Sequence, residues 1–414
     1  MNFSSTLSKA PNLYACCNSL HKLSTEIDIF NTNYPYHFIP TPIEINNIFT
    51  AFNAIDSDPD TGTDIWKSDD VLGWMYESYN NYKREAFKES EAKTEYNKVS
   101  IQSQVYTPRW VVKFLVDNSL GKLYLEMFPD STIKEKYKIA NASTIACREI
   151  KPVTEIRIID PACGSGNFLL YAFDLFYDIY KDQIDNYGAN FDEREIPELI
   201  IKHNLHGIDL DDRAVQLAQL GLFIKAKRKR SAVNIQYFNI VSSDFFIPEY
   251  NEIKYIFDEG ESLPSELEAI VKSLWSELQQ AYKFGALLRV EEKFNSEMKK
   301  LEKKSENVQL SLMTQPTKEY LADFRRVFFK LLQDGIRNYN KNHDATYTSS
   351  KTGDAISFLQ LQTQKYDVAV ANPPYTDSGS FGEVLKEFID ANYKKPYKFN
   401  TNLYASFELK KANE

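Results

Sequence analysis

Short apolar runs alternate with stretches of helical periodicity from about residue 101 onward, and this alternation limits the folds that the chain can adopt. Strands of a parallel sheet are near-continuous apolar runs, and each needs a crossover, usually a helix, to reach the next. The pattern predicts strands over residues 156–160, 205–209, 234–238 and 366–371, with helices over 167–181 and 213–227. We therefore expect an α/β fold with a doubly wound parallel sheet.

The rest of the chain predicts two helical regions around this sheet. Residues 1–100 mix aromatic, apolar and acidic positions, and residues 71–87 have helical spacing without a phosphate or metal signature. About 120 residues separate the third and fourth strands, which is too long for a structureless loop, and amphipathic stretches lie there at 287–304 and 320–339. We predict a helical N-terminal region over 1–100, the sheet domain over 101–250 and 356–414, and a helical insertion over 251–355.

Charge and cysteine content exclude several classes of protein. With a net charge of -9 the surface is not basic throughout, so contact with nucleic acid would need a local patch. The run from Lys225 to Arg230 is a candidate, although cations there also complement the end of a predicted helix. The four cysteines lack zinc or disulfide spacing, and His203 and His206 have no third ligand nearby, so we predict no metal. Without a long apolar segment or an apolar leader, the chain is predicted to be cytoplasmic and to have no membrane span.

A glycine-rich turn follows the first predicted strand, at the edge where open α/β sheets bind their ligands. Its sequence is Asp-Pro-Ala-Cys-Gly-Ser-Gly-Asn-Phe over residues 160–168. The third glycine of a dinucleotide fingerprint is replaced by Leu169, and the Gly-Lys-Ser/Thr of a phosphate-binding loop is missing. The turn therefore predicts a ligand with no phosphate at this point. To its site we assign Asp160, Pro161, Ala162, Gly164, Gly166, Asn167 and Phe168.

Acidic residues follow the next two predicted strands. Asp209 ends the second strand, where a carboxylate can accept both hydroxyls of a ribose. Asp244 and Phe245 follow the third strand, and we expect the carboxylate to accept an adenine amine while the ring stacks on the purine. A strand-end aspartate alone is more often a helix cap than a ligand. The order of these residues along one sheet nevertheless predicts an adenosyl cofactor.

The tetrad Asn372-Pro373-Pro374-Tyr375 directly follows the fourth predicted strand. The lone pair of an adenine N6 amine is delocalised into the ring, so this amine is a poor nucleophile. If the Asn372 side-chain oxygen and the Pro373 carbonyl each accept one N6 hydrogen, the lone pair becomes available. Two successive prolines restrict the backbone that carries this carbonyl. The tetrad predicts a site for amine methylation, in which Tyr375 stacks on the target base.

With these residues assembled, the chain resembles the N6-adenine DNA methyltransferases, whose hallmarks are this glycine turn and the Asn-Pro-Pro-Tyr tetrad. The resemblance extends to Tyr106, Thr107 and Pro108, in a segment that closes over the cofactor in such enzymes. It implies a Rossmann-like methyltransferase fold, S-adenosylmethionine as cofactor and double-stranded DNA with a flipped adenine as substrate. The layout is most similar to type IIG-related restriction-modification enzymes and to the PglX-like methyltransferases of BREX phage-defence systems, which implies other phage-defence proteins as partners.

Several alternatives to this assignment remain open. The family continues with more strands and a target-recognition domain after a helix near Asn402, whereas this sequence stops at Glu414, so we expect an incomplete sheet. The insertion could itself be the recognition domain, and Pro59-Asp60 with Glu91-Ala92-Lys93 is a distant nuclease candidate. Asn-Pro-Pro-Tyr also serves methyltransferases that act on a protein glutamine or an RNA guanine. A chain that lacks part of its sheet could bind the cofactor without turnover.

Overall fold

The computed structural model describes residues 40–58, 63–90, 93–99, 101, 105–142, 147–259, 264–309, 318–343, 346–395 and 398–412. These residues form many helices around one small parallel sheet. The strands are β1 (Ile158–Asp160), β2 (Leu205–Asp209), β3 (Ile240–Ser242) and β4 (Val368–Ala369).

The helices occupy the segments before, between and after the strands. Those that precede β2 are α1 (Pro42–Asp56), α2 (Val71–Glu89), α3 (Arg109–Val116), α4 (Lys122–Met127), α5 (Ile133–Lys136), α6 (Asn167–Tyr187) and α7 (Ile196–Leu199). Those that follow β2 are α8 (Asp212–Lys229), α9 (Tyr250–Phe257), α10 (Ser265–Leu278), α11 (Ala281–Phe284), α12 (Val290–Gln309), α13 (Lys318–His343), α14 (Tyr347–Thr363), α15 (Glu383–Tyr393) and α16 (Leu403–Ala412). Short 3₁₀ or π turns cover Thr63–Lys67, Tyr96–Lys98, Asp117–Gly121, Val153–Glu155, Glu193–Glu195, Ile200–Asn204, Gly285–Leu287 and Ser378–Ser380.

The strands form one parallel sheet in the order β3-β2-β1-β4. Ile158 lies opposite Leu205 on one side and Val368 on the other, and Gly207 lies opposite Ile240. Since all four strands run in the same direction, their carboxyl ends meet at one edge. The turns that follow β1, β2 and β4 therefore lie side by side.

Helices cover both faces of the sheet, which confirms the predicted doubly wound α/β fold. Ile158, Leu205 and Ile240 face one apolar core, whose other members include residues of α3, α6 and α8. Ile159 and Val241, which alternate with them, face a second core formed with residues of α9 to α15. Side chains of successive residues point to opposite faces of a strand, so β1, β2 and β3 each contribute to both cores, whereas Val368 of β4 lies in the first core.

The predicted third strand is wrong in position. We expected it over residues 234–238, whereas β3 is Ile240–Ser242. The side-chain amide of Asn239 donates to the carbonyls of Ile201 and Lys202, and its own carbonyl accepts from the Gly207 N–H at 2.8 Å. The pairing with β2 therefore begins at Asn239. The preceding Ile235 is buried in the first core but is not part of the β2–β3 ladder.

Other predicted elements agree except at their ends. β2 has the predicted limits, whereas β1 and β4 are shorter than the predicted runs 156–160 and 366–371. α6 continues to Tyr187, where Gly188 ends it in a left-handed conformation, and α8 begins one residue early because the Asp211 side chain caps it. The first α-helix after β4 is α15, which we did not predict, and the helix expected near Asn402 is α16.

The described helices between residues 250 and 363 share one core with the sheet. Trp275, Phe294 and Phe358 are buried in the same cluster as Ile159 and Val241. This part of the insertion thus covers a face of the sheet and is not packed as a separate unit. The boundaries of the four predicted regions stay predictions.

The basic run at the end of α8 is used within the fold. Lys225 is buried and forms ion pairs with Asp69 and Asp174, and Arg228 also pairs with Asp69. Lys227 donates to the carbonyls of Ser231 and Val233 beyond the helix end. These contacts favour the structural interpretation of the run over a patch for nucleic acid.

Neither a membrane span nor a metal cluster occurs in the parts of the chain that the structure describes. None of their helices is both long and apolar enough to cross a bilayer. They contain no group of three His, Cys, Asp or Glu side chains arranged to bind an ion. The nuclease candidate residues Pro59, Asp60, Glu91 and Ala92 lie outside the described residues.

Substitutions of two glycines at the ends of α6 can test how closely α6 and α8 approach each other. Gly166 and Gly188 both have positive φ, which costs a non-glycine residue roughly 1–2 kcal/mol. A Cβ at Gly166 would also lie 2.9 Å from the Ala218 Cβ on α8, whereas a Cβ at Gly188 would meet nothing within 4 Å. We therefore expect Gly166→Ala to lower the thermal unfolding midpoint more than Gly188→Ala in scanning calorimetry.

The double variant Gly166→Ala/Ala218→Gly is the control, because it removes the close Cβ contact and should recover part of the lost midpoint. Equal midpoints for the two single variants would contradict the close approach of these helices.

Candidate active site

One cavity at the carboxyl edge of the sheet contains most of the predicted site residues. Its lining includes Tyr106, Thr107, Asp160, Pro161, Ala162, Gly164, Asn167, Phe168, Asp209, Asn372 and Pro374. The glycine turn after β1 and the tetrad after β4 therefore face the same space. This proximity follows from the pairing of β1 with β4 in parallel.

The glycine turn and Asp209 are joined by backbone hydrogen bonds. Gly164 has φ 52°, and its N–H donates to Asp209 Oδ2 at 2.8 Å. Asp209 Oδ1 accepts from the Asp211 N–H at 2.9 Å. Burial raises the pKa of Asp209 to about 6 despite these bonds. An ionised carboxylate has about four acceptor positions, so Asp209 can still accept a hydrogen bond from a ligand hydroxyl.

Asn167, the first residue of α6, lines the cavity and has a side-chain oxygen without a hydrogen-bond partner among the described residues. Its Nδ2 donates to the Thr107 carbonyl at 2.7 Å. Its Oδ1 is buried without a hydrogen-bond partner among the described residues, and the residue is 8% exposed. A buried acceptor without a partner is costly, so this atom suits a ligand that brings an ammonium or hydroxyl donor.

Both the nitrogen and the oxygen of the Asn372 side-chain amide form hydrogen bonds. Its Nδ2 donates to Thr107 Oγ1 at 3.0 Å and to the Val105 carbonyl at 3.2 Å. Its Oδ1 accepts a hydrogen bond from the Tyr375 hydroxyl. Tyr375 is 54% exposed, and neither it nor Pro373 lines the cavity. The tetrad thus presents an amide oxygen beside an accessible aromatic ring.

Two predicted cofactor residues lie elsewhere. Phe245 is 1% exposed in the second core, where its ring packs edge-on against Phe358 at 5.8 Å, so it cannot stack on a purine in the cavity. Asp244 is exposed and lies outside the lining. Both residues do follow the third strand, since β3 ends at Ser242, but neither lines the cavity.

Gly166 and Pro108 are in the predicted segments but do not line the cavity. Gly166 faces Ala218 on α8, so its missing side chain serves helix packing rather than approach of a ligand. Pro108 is the residue before α3 and has extended backbone angles, which start that helix. Gly166 thus serves the packing of α6 on α8, and Pro108 serves the start of α3.

Helix α2 supplies a wall of the cavity that the sequence did not predict. The Tyr76 hydroxyl donates to Asp211 Oδ2 at 2.5 Å, and burial raises the pKa of this phenol. Gly73 lies against the Tyr106 ring so closely that a Cβ there would be 2.3 Å from Tyr106 Cε2. Glu77 accepts from the Tyr106 N–H at 3.2 Å. The sequence predicts a helix over residues 71–87 but assigns it no role in the site.

Residues 283–287, between α10 and α12, also reach the cavity, together with Leu385, Leu403 and Phe407. Gly285 has φ 51°, and a Cβ there would lie 2.9 Å from Leu210 Cδ1 and 3.2 Å from Ser243 Oγ. Only glycine permits this close approach to the ends of β2 and β3. In the sequence, the only feature that could have indicated a role for this segment in the site is the single Gly285 between two helices. Such a glycine indicates a helix cap as readily as a binding segment.

The fold and site together define the class of the N6-adenine methylases. The sheet order β3-β2-β1-β4 combines with a glycine turn after β1 and Asn-Pro-Pro-Tyr after β4. The family model for N-6 DNA Methylase matches residues 67–251. The model for the Eco57I restriction-modification methylase matches residues 203–413, just over half of the chain, and the chain belongs to this family.

Curated relatives agree with this family. The chain is similar to the adenine-specific methyltransferase BrxX of Escherichia coli O9:H4 (strain HS), with 25% identity over 385 residues, 84% of this chain and 28% of that protein. It is 25% identical over 373 residues to the adenine-specific methyltransferase PglX of Lacticaseibacillus casei (strain Zhang), which is 84% of this chain and 27% of PglX. A putative type II restriction enzyme and methyltransferase of Methanocaldococcus jannaschii is 26% identical over 204 residues, 44% of this chain and 16% of that protein. The chain spans little more than a quarter of the length of the first two relatives.

The raised pKa of Asp209 predicts a pH-dependent affinity for an adenosyl ligand. The sequence predicts that Asp209 accepts two ribose hydroxyls, and the ionised carboxylate is the better acceptor; burial places its pKa at about 6. Affinity for S-adenosylmethionine should therefore rise as the pH increases from about 5 to about 7, with a midpoint near 6. Calorimetric titrations across this range measure the effect.

Asp209→Asn is the matched variant, because the amide has a similar shape but does not titrate. It should bind the ligand weakly, with affinity that varies little over this range. An equally steep pH dependence in both proteins would assign the titration to another group.

Proposed function

We propose that this chain is the catalytic part of a DNA adenine methyltransferase that uses S-adenosylmethionine and modifies N6. The observation that carries the proposal is that Asn372 and Pro374 line one cavity with Asp160, Gly164 and Asp209. A methyl group has to pass directly from the cofactor side of such a cavity to the amine side. Had Asn372 lain on the far face of the sheet from the glycine turn, the proposal would fail.

The residues at the glycine turn fit the cofactor. The Asn167 Oδ1 without a partner suits the ammonium of the methionine part, and Asp209 suits the ribose hydroxyls. Apolar side chains of Phe168, Leu210 and Leu287 offer surface to the purine in place of Phe245. When bound, S-adenosylmethionine would supply an electrophilic methyl group on its sulfonium.

The residues of the tetrad fit the target amine. Asn372 Oδ1 is the acceptor for one N6 hydrogen in this proposal. The Pro373 carbonyl, which lies outside the cavity lining, is given the other hydrogen because the tetrad resembles that of the family. Acceptors that are held before the substrate arrives favour the transition state, because they need no reorganisation during the reaction. The base must leave the duplex to reach them, and the exposed ring of Tyr375 offers a stacking surface.

The DNA substrate and the biological setting rest on relatives and on resemblance. BrxX and PglX are named as adenine-specific methyltransferases, and the family is one of restriction-modification methylases. We infer that the protein acts in a restriction-modification or BREX-type phage-defence system, where other defence proteins would be its partners.

Methyl transfer by the purified chain tests the function. It is incubated with tritiated S-adenosylmethionine and unmethylated DNA, RNA or protein, and N6-methyladenine is measured by mass spectrometry of nucleosides. We expect label in DNA, and we expect Asn372→Ala to lower kcat by roughly 100-fold or more, since one fixed hydrogen-bond partner of the reacting group is lost.

Asn392→Ala is the control for this variant, because Asn392 bonds to the Phe388 carbonyl in α15 and does not line the cavity. Its kcat should stay within about twofold of the wild type, as for other surface changes. Label in protein or RNA but not in DNA would change the substrate class. Calorimetric binding of the cofactor with no methylated product would make the chain a binding fragment.

Two substitutions of Tyr375 separate its ring from its hydroxyl. Stacking on a base contributes about 1–3 kcal/mol, so Tyr375→Ala should lower kcat/KM for DNA by roughly 5- to 150-fold. Tyr375→Phe keeps the ring and releases Asn372 Oδ1, so its kcat/KM should stay within about threefold of the wild type. Steady-state kinetics with varied DNA measure both. A phenylalanine variant as impaired as the alanine variant would show that the hydroxyl, not the ring, is needed.

A further inference from the structure

The amide of Asn372 has a defined orientation in the structure. Both hydrogens of its Nδ2 are used, one by the Val105 carbonyl at 3.2 Å and one by Thr107 Oγ1 at 3.0 Å. Rotation of the amide by 180° would place Oδ1 against the Val105 carbonyl, which cannot donate. The two contacts therefore turn Oδ1 away from residues 105–107 and toward Tyr375.

Thr107 is itself held by the cofactor turn. It is 9% exposed, and its carbonyl accepts from Asn167 Nδ2 at 2.7 Å. Asn167 begins α6 directly after the glycine turn. A chain of hydrogen bonds thus runs from Asn167 through Thr107 to Asn372. It joins the turn after β1 to the tetrad after β4 across one side of the cavity.

We propose that Thr107 is a positioning residue for the reaction, which orients the Asn372 acceptor through its hydroxyl and ties it to the cofactor turn through its carbonyl. This inference rests on the proposed function, in which Asn372 Oδ1 accepts an N6 hydrogen. Because the Thr107 hydroxyl contacts the Asn372 amide, its loss should lower kcat, the rate at which bound substrate reacts. A residue that only contacts the cofactor would change cofactor affinity instead.

Thr107→Val removes the hydroxyl and keeps the shape, while Thr107→Ser restores the hydroxyl. Misplacement of a reacting group by about 1 Å costs up to roughly 100-fold in rate. We expect kcat at saturating DNA and S-adenosylmethionine to fall roughly 10- to 100-fold in the valine variant and to return within about threefold in the serine variant. The dissociation constant for S-adenosylmethionine, measured by calorimetry, should change by less than about threefold in both.

Thr352→Val is the matched control for the loss of a buried threonine hydroxyl. Thr352 is fully buried in α14, where its hydroxyl donates to the Thr348 carbonyl, and it does not line the cavity. Its kcat should stay near that of the wild type. If Thr107→Val keeps the wild-type kcat but weakens cofactor binding, Thr107 is a cofactor contact and the proposal is overturned.

A second measurement separates this inference from the function on which it rests. In protein labelled with nitrogen-15 at asparagine, the Asn372 side-chain signals are identified by their loss in Asn372→Asp. Their exchange with solvent hydrogen should be at least about tenfold faster in Thr107→Val than in the wild type or Thr107→Ser. Unchanged exchange in the valine variant overturns the positioning role, whereas absence of methyl transfer by the wild type overturns the function alone.

Discussion

The pairing of β1 with both β2 and β4 in parallel is the constraint on which the site depends. The Val370 N–H donates to the Ile159 carbonyl at 2.9 Å, and the Cys163 N–H donates to the Ile208 carbonyl at 3.0 Å. These bonds extend both ladders to the carboxyl edge, so the turns that leave β1, β2 and β4 are neighbours. The glycine turn, Asp209 and Asn372 meet although they are far apart in sequence. The same topology explains why ligands of open α/β sheets bind at this edge.

The walls of the cavity come from segments that have no strand of their own. Helix α2, residues 105–107 and residues 283–287 approach the sheet edge from different parts of the chain. Glycine permits two of these approaches, since a side chain at Gly73 would overlap Tyr106 and one at Gly285 would meet Leu210. The insertion thus has a second role beside covering a sheet face, because residues 283–287 help to form the wall of the cavity.

Charge at the sheet edge suits a cationic ligand. Asp160, Asp209 and Asp211 follow each other along the carboxyl ends of β1 and β2. The charge of the Asp211 carboxylate is balanced by the Arg213 guanidinium, and this ion pair together with the hydrogen bond from the Tyr76 hydroxyl holds the pKa of Asp211 below the usual range. Asp209 has no cation among its hydrogen-bond partners, and burial opposes its ionisation. A ligand that brings positive charge and hydroxyl donors would offset that cost.

The sequence by itself determined those parts of the protein whose conformation depends on residues adjacent in the chain. The glycine turn and the tetrad were recognisable because a strand end, a positive φ glycine or two successive prolines constrain the backbone wherever they occur. The third strand was placed wrongly because pairing at Asn239 depends on contacts with Ile201 and Lys202 that periodicity does not contain. The role of Phe245 was wrong because its ring packs against Phe358, which is distant in sequence. The roles of Gly73, Tyr76 and residues 283–287, and the bond between Thr107 and Asn372, were decided only by tertiary structure. Each requires two segments that are distant in sequence to meet, and the physical reason is that no local pattern encodes which surfaces will pack together.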